Sequence, residues 1–96
     1  MRDTLDRLEA VIAERRAASS DSSYVASLFA KGREKIAQKV GEEGVEAALA
    51  AVSDSDERLV EELADLWFHS YVLLAARGLD PERVEEELRR RHGSSG

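Results

Sequence analysis

The chain has 96 residues, 43% hydrophobic and 35% charged, with six glycines, one proline and a formal net charge of −6. That size allows one domain with a modest core. The composition suits a folded helical protein rather than a disordered or collagenous one, and no apolar run approaches the roughly 18–20 residues that cross a bilayer. The acidic balance argues against general DNA or RNA binding. The absence of cysteine excludes disulfides, thiolate metal sites and a cysteine nucleophile. MRDTLDRLEA mixes both charges from the start, so neither a signal nor a transit peptide is expected, and the cytoplasm is the expected compartment.

Helices are expected throughout, with no strand. Leu5, Leu8, Val11 and Ile12 recur at helical spacing and predict a helix over Asp3–Arg16. AASSDSS, Ala17–Ser23, reads as a polar linker. Tyr24–Phe29 is short and apolar, a helical turn leading into a long helix from about Ala30 to Val52. In SDSDE, Asp54 followed by Glu57 has capping-box spacing. The next helix is expected from about Asp56 to Arg77, stopping at Gly78. Asp80 at the cap with Pro81 at the first helical position opens a last helix that ends near Arg91. Residues 1–91 are therefore expected to form a single domain and 92–96, HGSSG, a flexible tail.

Each of the two long helices, at about 22 residues, spans roughly 33 Å, more than twice the ~13 Å radius of gyration of a compact 100-residue domain. A lone hairpin of that length leaves apolar surface wet. The expected fold is all-α, an antiparallel long-helix hairpin with flanking helices that dimerises into a four-helix-bundle core.

KVGEEGVEAALA, Lys39–Ala50, packs Glu42, Glu43 and Glu46 around Gly41 and Gly44. Each mid-helix glycine costs roughly 0.5–1 kcal/mol, and the carboxylates repel one another. At about 100° per residue, Lys35, Lys39 and the three glutamates share one arc flanked by Ile36 and Leu49. On the next helix Glu62, Asp65 and His69 lie beside the stripe of Leu59, Leu66 and Leu73. Unpaired carboxylates in apolar surroundings are costly unless protons or cations neutralise them. A solvated, salt-bridged face accounts for Glu85, Glu86 and Glu87 and for an i,i+4 pair of Lys39 with Glu43, but fits Glu62 and Asp65 badly. His69, one turn after Asp65, is expected to face the same site.

Among fourteen basic residues the three lysines are Lys31, Lys35 and Lys39, spaced i, i+4, i+8, and they read as one helix edge leading to the glutamates. Lysine is a compact point charge suited to phosphate oxygens. Fifteen residues separate Glu46 of E-x-x-E from Glu62 of E-x-x-D, enough to turn and bring the second helix back. Four carboxylates then converge, and all-oxygen ligation favours Mg²⁺ or Mn²⁺.

SYVASLFAKGREKIAQKVGEEGVEAALAA followed by LVEELADLWFHSYVLLAARGLDPERVEEELRRR resembles the phosphoribosyl-ATP pyrophosphatase (pyrophosphohydrolase) family of histidine biosynthesis. That family belongs to the MazG-like all-α nucleoside triphosphate pyrophosphohydrolases. The resemblance runs from Leu5 to Arg91 and rests on Ser23-Tyr24, Lys31-Gly32, KVGEE-x-x-E, E-x-x-D-x-x-x-H and LLAARGL. It implies Mg²⁺-dependent hydrolysis of phosphoribosyl-ATP to phosphoribosyl-AMP and pyrophosphate. It places metal ligands at Glu43, Glu46, Glu62 and Asp65, with Glu42 a further acid of the motif. Gly44 departs from the family, which often has alanine there. With no cysteine, the chain lacks the zinc ligands of the cyclohydrolase to which this activity is sometimes fused.

The implied chemistry is attack by a metal-bound water, with Glu42 or Glu43 taking its proton. Lys35 and Lys39 meet the departing pyrophosphate, Lys31 joins them in binding phosphate, and His69 orients a ligand or phosphate. The expected partners are the small-molecule substrate and a second copy of the chain, with no nucleic acid and no membrane. The rival readings are a MazG-type enzyme for another nucleoside triphosphate and a non-catalytic helical dimerisation module. A ferritin-like di-iron site is disfavoured because the E-x-x-H pairs it needs are absent.

Overall fold

The computed structural model describes residues 2–53 and 55–93. Asp54, with its expected capping role, and most of the expected tail lie outside the described residues. Among the described residues five helices follow in chain order: α1 Arg2–Arg16, α2 Tyr24–Lys31, α3 Arg33–Ser53, α4 Asp56–Ala76 and α5 Glu82–His92. The described residues contain no strand, so the all-α expectation holds.

Local chemistry sets the helix limits. Ser23 caps α2, its Oγ accepting from the Ala26 N–H at 3.2 Å. Gly32 then stops α2 with φ 99°, a conformation glycine adopts without steric cost. Its N–H donates to the Leu28 carbonyl at 3.1 Å, and its own carbonyl accepts from the Ile36 N–H at 3.2 Å. One residue thus ends one helix and starts the next. This corrects the expectation of a continuous helix from about Ala30: Lys31 belongs to α2, whereas Lys35 and Lys39 belong to α3.

Ser55 caps α4, accepting from the Arg58 N–H at 3.3 Å. At the other end Gly78, φ 69°, closes a Schellman motif in which Leu79 N–H donates to Leu74 O at 2.9 Å and Gly78 N–H to Ala75 O at 3.0 Å. Asp80 Oδ1 accepts from the Glu82 N–H at 2.9 Å, but Pro81, expected at the first helical position, is the cap residue and Glu82 the first of α5, which runs one residue beyond the expected Arg91.

α3 and α4 pack along one another as a hairpin, with α1 against α4, α2 against α3 and α1 against α2. The core brings together Ile12, Val25, Leu28, Ile36 and Val72, flanked by Leu8, Phe29, Phe68 and Tyr71. Arg16 closes its edge, with the guanidinium 4.2 Å above the Phe29 ring and an N–H donated to Ala75 O at 3.2 Å. These covering residues sit over the first part of α3 and the last part of α4. Along the rest of the hairpin Val45, Leu49 and Val52 of α3 and Val60 and Trp67 of α4 are exposed.

Candidate metal centre

The buried side of α3 reads Ile36, Glu43, Ala47, Ala50, and that of α4 reads Glu62, His69, Val72. Glu43 lies two turns beyond core residue Ile36, and Glu62 two turns before His69. The periodicity that seats the core therefore also turns both glutamates inward. Glu43 is 6% exposed and Glu62 4%. One oxygen each of Glu43, Glu62 and Asp65 lie within 4.8 Å of one another, with Asp65 exposed at the mouth of the cluster.

Cations from the same helices cover one side of each buried acid. Arg58 Nη2 is 3.0 Å from Glu62 Oε1, and Lys39 Nζ is 3.8 Å from Glu43 Oε1. The remaining oxygens, Glu43 Oε2 and Glu62 Oε2, are buried without a hydrogen-bond partner. Burial pushes the Glu43 carboxyl above the usual range, and the charges of Glu46 and Asp65 push it further while His69 opposes them. Burial likewise raises Glu62, against the pull of Arg58, with Glu46 and Glu43 adding to the rise. Buried polar atoms normally find partners. An all-oxygen donor set with two orphaned buried oxygens fits a hard divalent cation such as Mg²⁺ or Mn²⁺.

Glu46 stands exposed at the rim, lining an open groove with Gln38, Gly41, Glu42 and Val45; it bears electrostatically on both buried acids but is outside the triple. Glu42 turns away: it accepts from Gln38 Nε2 at 2.8 Å and lies 3.7 Å from Lys39 Nζ. The Gln38 hydrogen bond, helped by Lys39 and Lys35, holds its carboxyl below the usual range. Lys35 is half-buried on α3. Lys31 instead lines a separate depression with Arg33 and Arg77, because the break at Gly32 takes it off the α3 edge.

His69 is buried, and both ring nitrogens have protein partners: Nδ1 is 2.8 Å from Asp65 O and Nε2 is 2.9 Å from Tyr24 Oη. Sequence reasoning missed Arg58 and Tyr24 as site neighbours. Arg58 was detectable, four residues before Glu62 on the same helix. Tyr24 lies forty-five residues from His69, and no helical spacing connects them.

The model of the family described as phosphoribosyl-ATP pyrophosphohydrolase matches residues 5–92. The chain is 60% identical over 97 residues to the phosphoribosyl-ATP pyrophosphatase of Sphingopyxis alaskensis, covering 100% of this chain and 89% of that protein. It is also 60% identical over 94 residues to the phosphoribosyl-ATP pyrophosphatase of Erythrobacter litoralis, covering 98% and 90%. With the match spanning all five helices, the chain belongs to the phosphoribosyl-ATP pyrophosphohydrolase family.

Proposed function

We propose that this chain hydrolyses phosphoribosyl-ATP to phosphoribosyl-AMP and pyrophosphate, the second step of histidine biosynthesis. The carrying observation is the convergence of Glu43, Glu62 and Asp65 with two buried, unpartnered carboxylate oxygens, in a chain whose relatives bear that enzyme's name. Glu43, Glu62 and Asp65 would hold Mg²⁺, or Mn²⁺ in its place, with Glu46 completing the site at the rim. Such an ion, when bound, polarises a phosphoryl oxygen and acidifies a water.

The reaction joins the water oxygen to the α-phosphorus, breaks the bond from that phosphorus to the α–β bridging oxygen, and releases pyrophosphate. Of the two candidate proton acceptors, Glu43 is the better placed. Its carboxyl lies in the acid cluster, whereas that of Glu42 is turned to Gln38. Lys39, already beside Glu43, and Lys35 one turn earlier would meet the departing pyrophosphate. Lys31, on α2, is assigned to a more distant part of the substrate. Arg58 keeps Glu62 Oε1 engaged, so that Oε2 is the oxygen left for a cation.

The working unit is proposed to be a homodimer in the cytoplasm, pairing two hairpins through the exposed apolar residues of α3 and α4. Among the described residues no helix is long and apolar enough to cross a membrane.

Pyrophosphate release should be measured with Mg²⁺ on phosphoribosyl-ATP, ATP and deoxynucleoside triphosphates. Phosphoribosyl-ATP is the expected best substrate, and a clear preference for a deoxynucleotide would end the substrate assignment. Glu62→Gln and Asp65→Asn should each lower turnover by more than the roughly 10–100-fold cost of losing an outer-shell partner. Unchanged Mg²⁺ affinity in both variants would instead favour a non-catalytic helical module.

A further inference from the structure

We propose that Tyr24 is a positioning residue for the acid cluster: its hydroxyl donates to the Nε2 of His69, whose Nδ1–H the Asp65 carbonyl fixes, and so ties α2 to the α4 turn that carries Asp65. The inference rests on the metal reading of that cluster.

Hydrogen-bond bookkeeping assigns the proton. The atom opposite His69 Nδ1, at 2.8 Å, is the backbone carbonyl of Asp65, which can only accept, so Nδ1 carries the hydrogen. In the neutral ring Nε2 is then a bare acceptor buried in a residue only 5% exposed. The phenol of Tyr24, at 2.9 Å, is the donor that satisfies it. Removing the hydroxyl leaves a buried acceptor unpaired, the arrangement that costs most.

Aromatic packing fixes the ring's orientation. Phe68 and His69 meet edge to face with centroids 5.0 Å apart, Tyr24 meets His69 edge to face at 5.9 Å, and Tyr24 stacks on Phe68 at 6.1 Å. Tyr24 is nonetheless 52% exposed, so its ring adds little to the core; the hydroxyl is what reaches inward. It is the first residue of α2, whose N-terminus Ser23 caps, and its carbonyl accepts from Ser27 Oγ at 2.7 Å. Through this contact a helix that supplies none of the clustered acids bears on the backbone of Asp65. Ligand-orienting groups of this kind typically change metal affinity or activity by roughly 10–100-fold when removed.

The test uses the full chain and Tyr24→Phe, which keeps the ring and deletes the hydroxyl, beside Phe68→Leu, which alters the stack and keeps the hydroxyl. Nitrogen-15 NMR of the His69 ring should show a protonated Nδ1 and a bare Nε2 in wild type and in Phe68→Leu. In Tyr24→Phe the Nε2 signal should shift as its donor is lost. Mn²⁺ affinity, by calorimetric titration, should fall roughly 10–100-fold in Tyr24→Phe and much less in Phe68→Leu. A wild-type ring protonated on Nε2, equal Mn²⁺ loss in both variants, or unchanged affinity in Tyr24→Phe overturns the inference. Wild-type protein that takes up no Mn²⁺ sinks the metal reading, and the ring-nitrogen signals alone then decide whether the tie from Tyr24 exists.

Discussion

Glu43 and Glu62 face the same packing problem from opposite helices: each is turned inward with one oxygen beside a cation and one orphaned. Because the folded pKa of Glu43 is raised above its unfolded value, the folded chain binds more protons between those values. The contribution of Glu43 to stability is therefore most favourable below the ordinary glutamate range and falls as pH rises through the raised value. Glu42 and Glu87, held low by hydrogen bonds, pull the other way, so the comparison of wild type with Glu43→Gln isolates the effect. Without metal, Glu43→Gln should melt at a higher temperature than wild type at neutral pH, and the gap should close on acidification. Adding Mn²⁺ at about a hundred times its dissociation constant should stabilise wild type by about 2.7 kcal/mol and the variant far less. Thermal melts over pH and Mn²⁺ concentration check both. The wheel sets Glu62, Asp65 and His69 together beside the leucine stripe; Glu62 and His69 are buried, but Asp65 is exposed, at the edge of that stripe. On α3 it groups Glu42 with Glu43 and Glu46, yet Glu42 lies at the edge of that arc, where Gln38 and Lys39 draw it outward.

At the scale of helices, two glycines behave in opposite ways. Gly44 lies inside α3, and a Cβ built there meets no atom within 4 Å, so within the chain the glycine serves no close contact. Gly44→Ala should stabilise by about 0.5–1 kcal/mol and raise the melting temperature by several degrees, with pyrophosphate release unchanged. At Gly32 the space is equally open, but φ is +99°, so Gly32→Ala should be destabilising; calorimetry on the pair separates space from backbone conformation. Helix existence and most boundaries were readable because caps and glycine stops are local chemistry. The break at Gly32 was not, since apolar spacing continues from Leu28 to Ile36 across it and only the backbone dihedral separates α2 from α3.

On the scale of the whole molecule, α1 and α2 shield only part of the hairpin. The chain has a radius of gyration of 14.6 Å, against ~13 Å for a compact chain of about this length. Val45, Leu49 and Val52 stand at i, i+4 and i+7 on α3, with 60%, 58% and 82% of their surface exposed, a stripe suited to helix pairing. If two copies pair there, Leu49→Glu should convert the dimer to monomer while helicity measured by circular dichroism persists. Light scattering coupled to gel filtration reads the mass, and a wild-type monomer at micromolar concentration would refute the pairing. The exposed stripe was foreseeable from helix length, whereas which copy or element covers it is a matter of assembly.

Taken alone, the order of residues determined that the chain is helical, where most helices begin and end, and that acids of two neighbouring helices share a helical face with apolar residues. It could do so because caps, turns and the helical repeat act over a few neighbours. Only the tertiary structure decided that Glu43 and Glu62 each keep an unsatisfied oxygen, that Asp65 joins them from the rim, that Lys31 leaves the lysine row, and that Tyr24 reaches His69. Those facts depend on how separate helices are set against one another, and contacts between residues far apart in the chain leave no periodic trace.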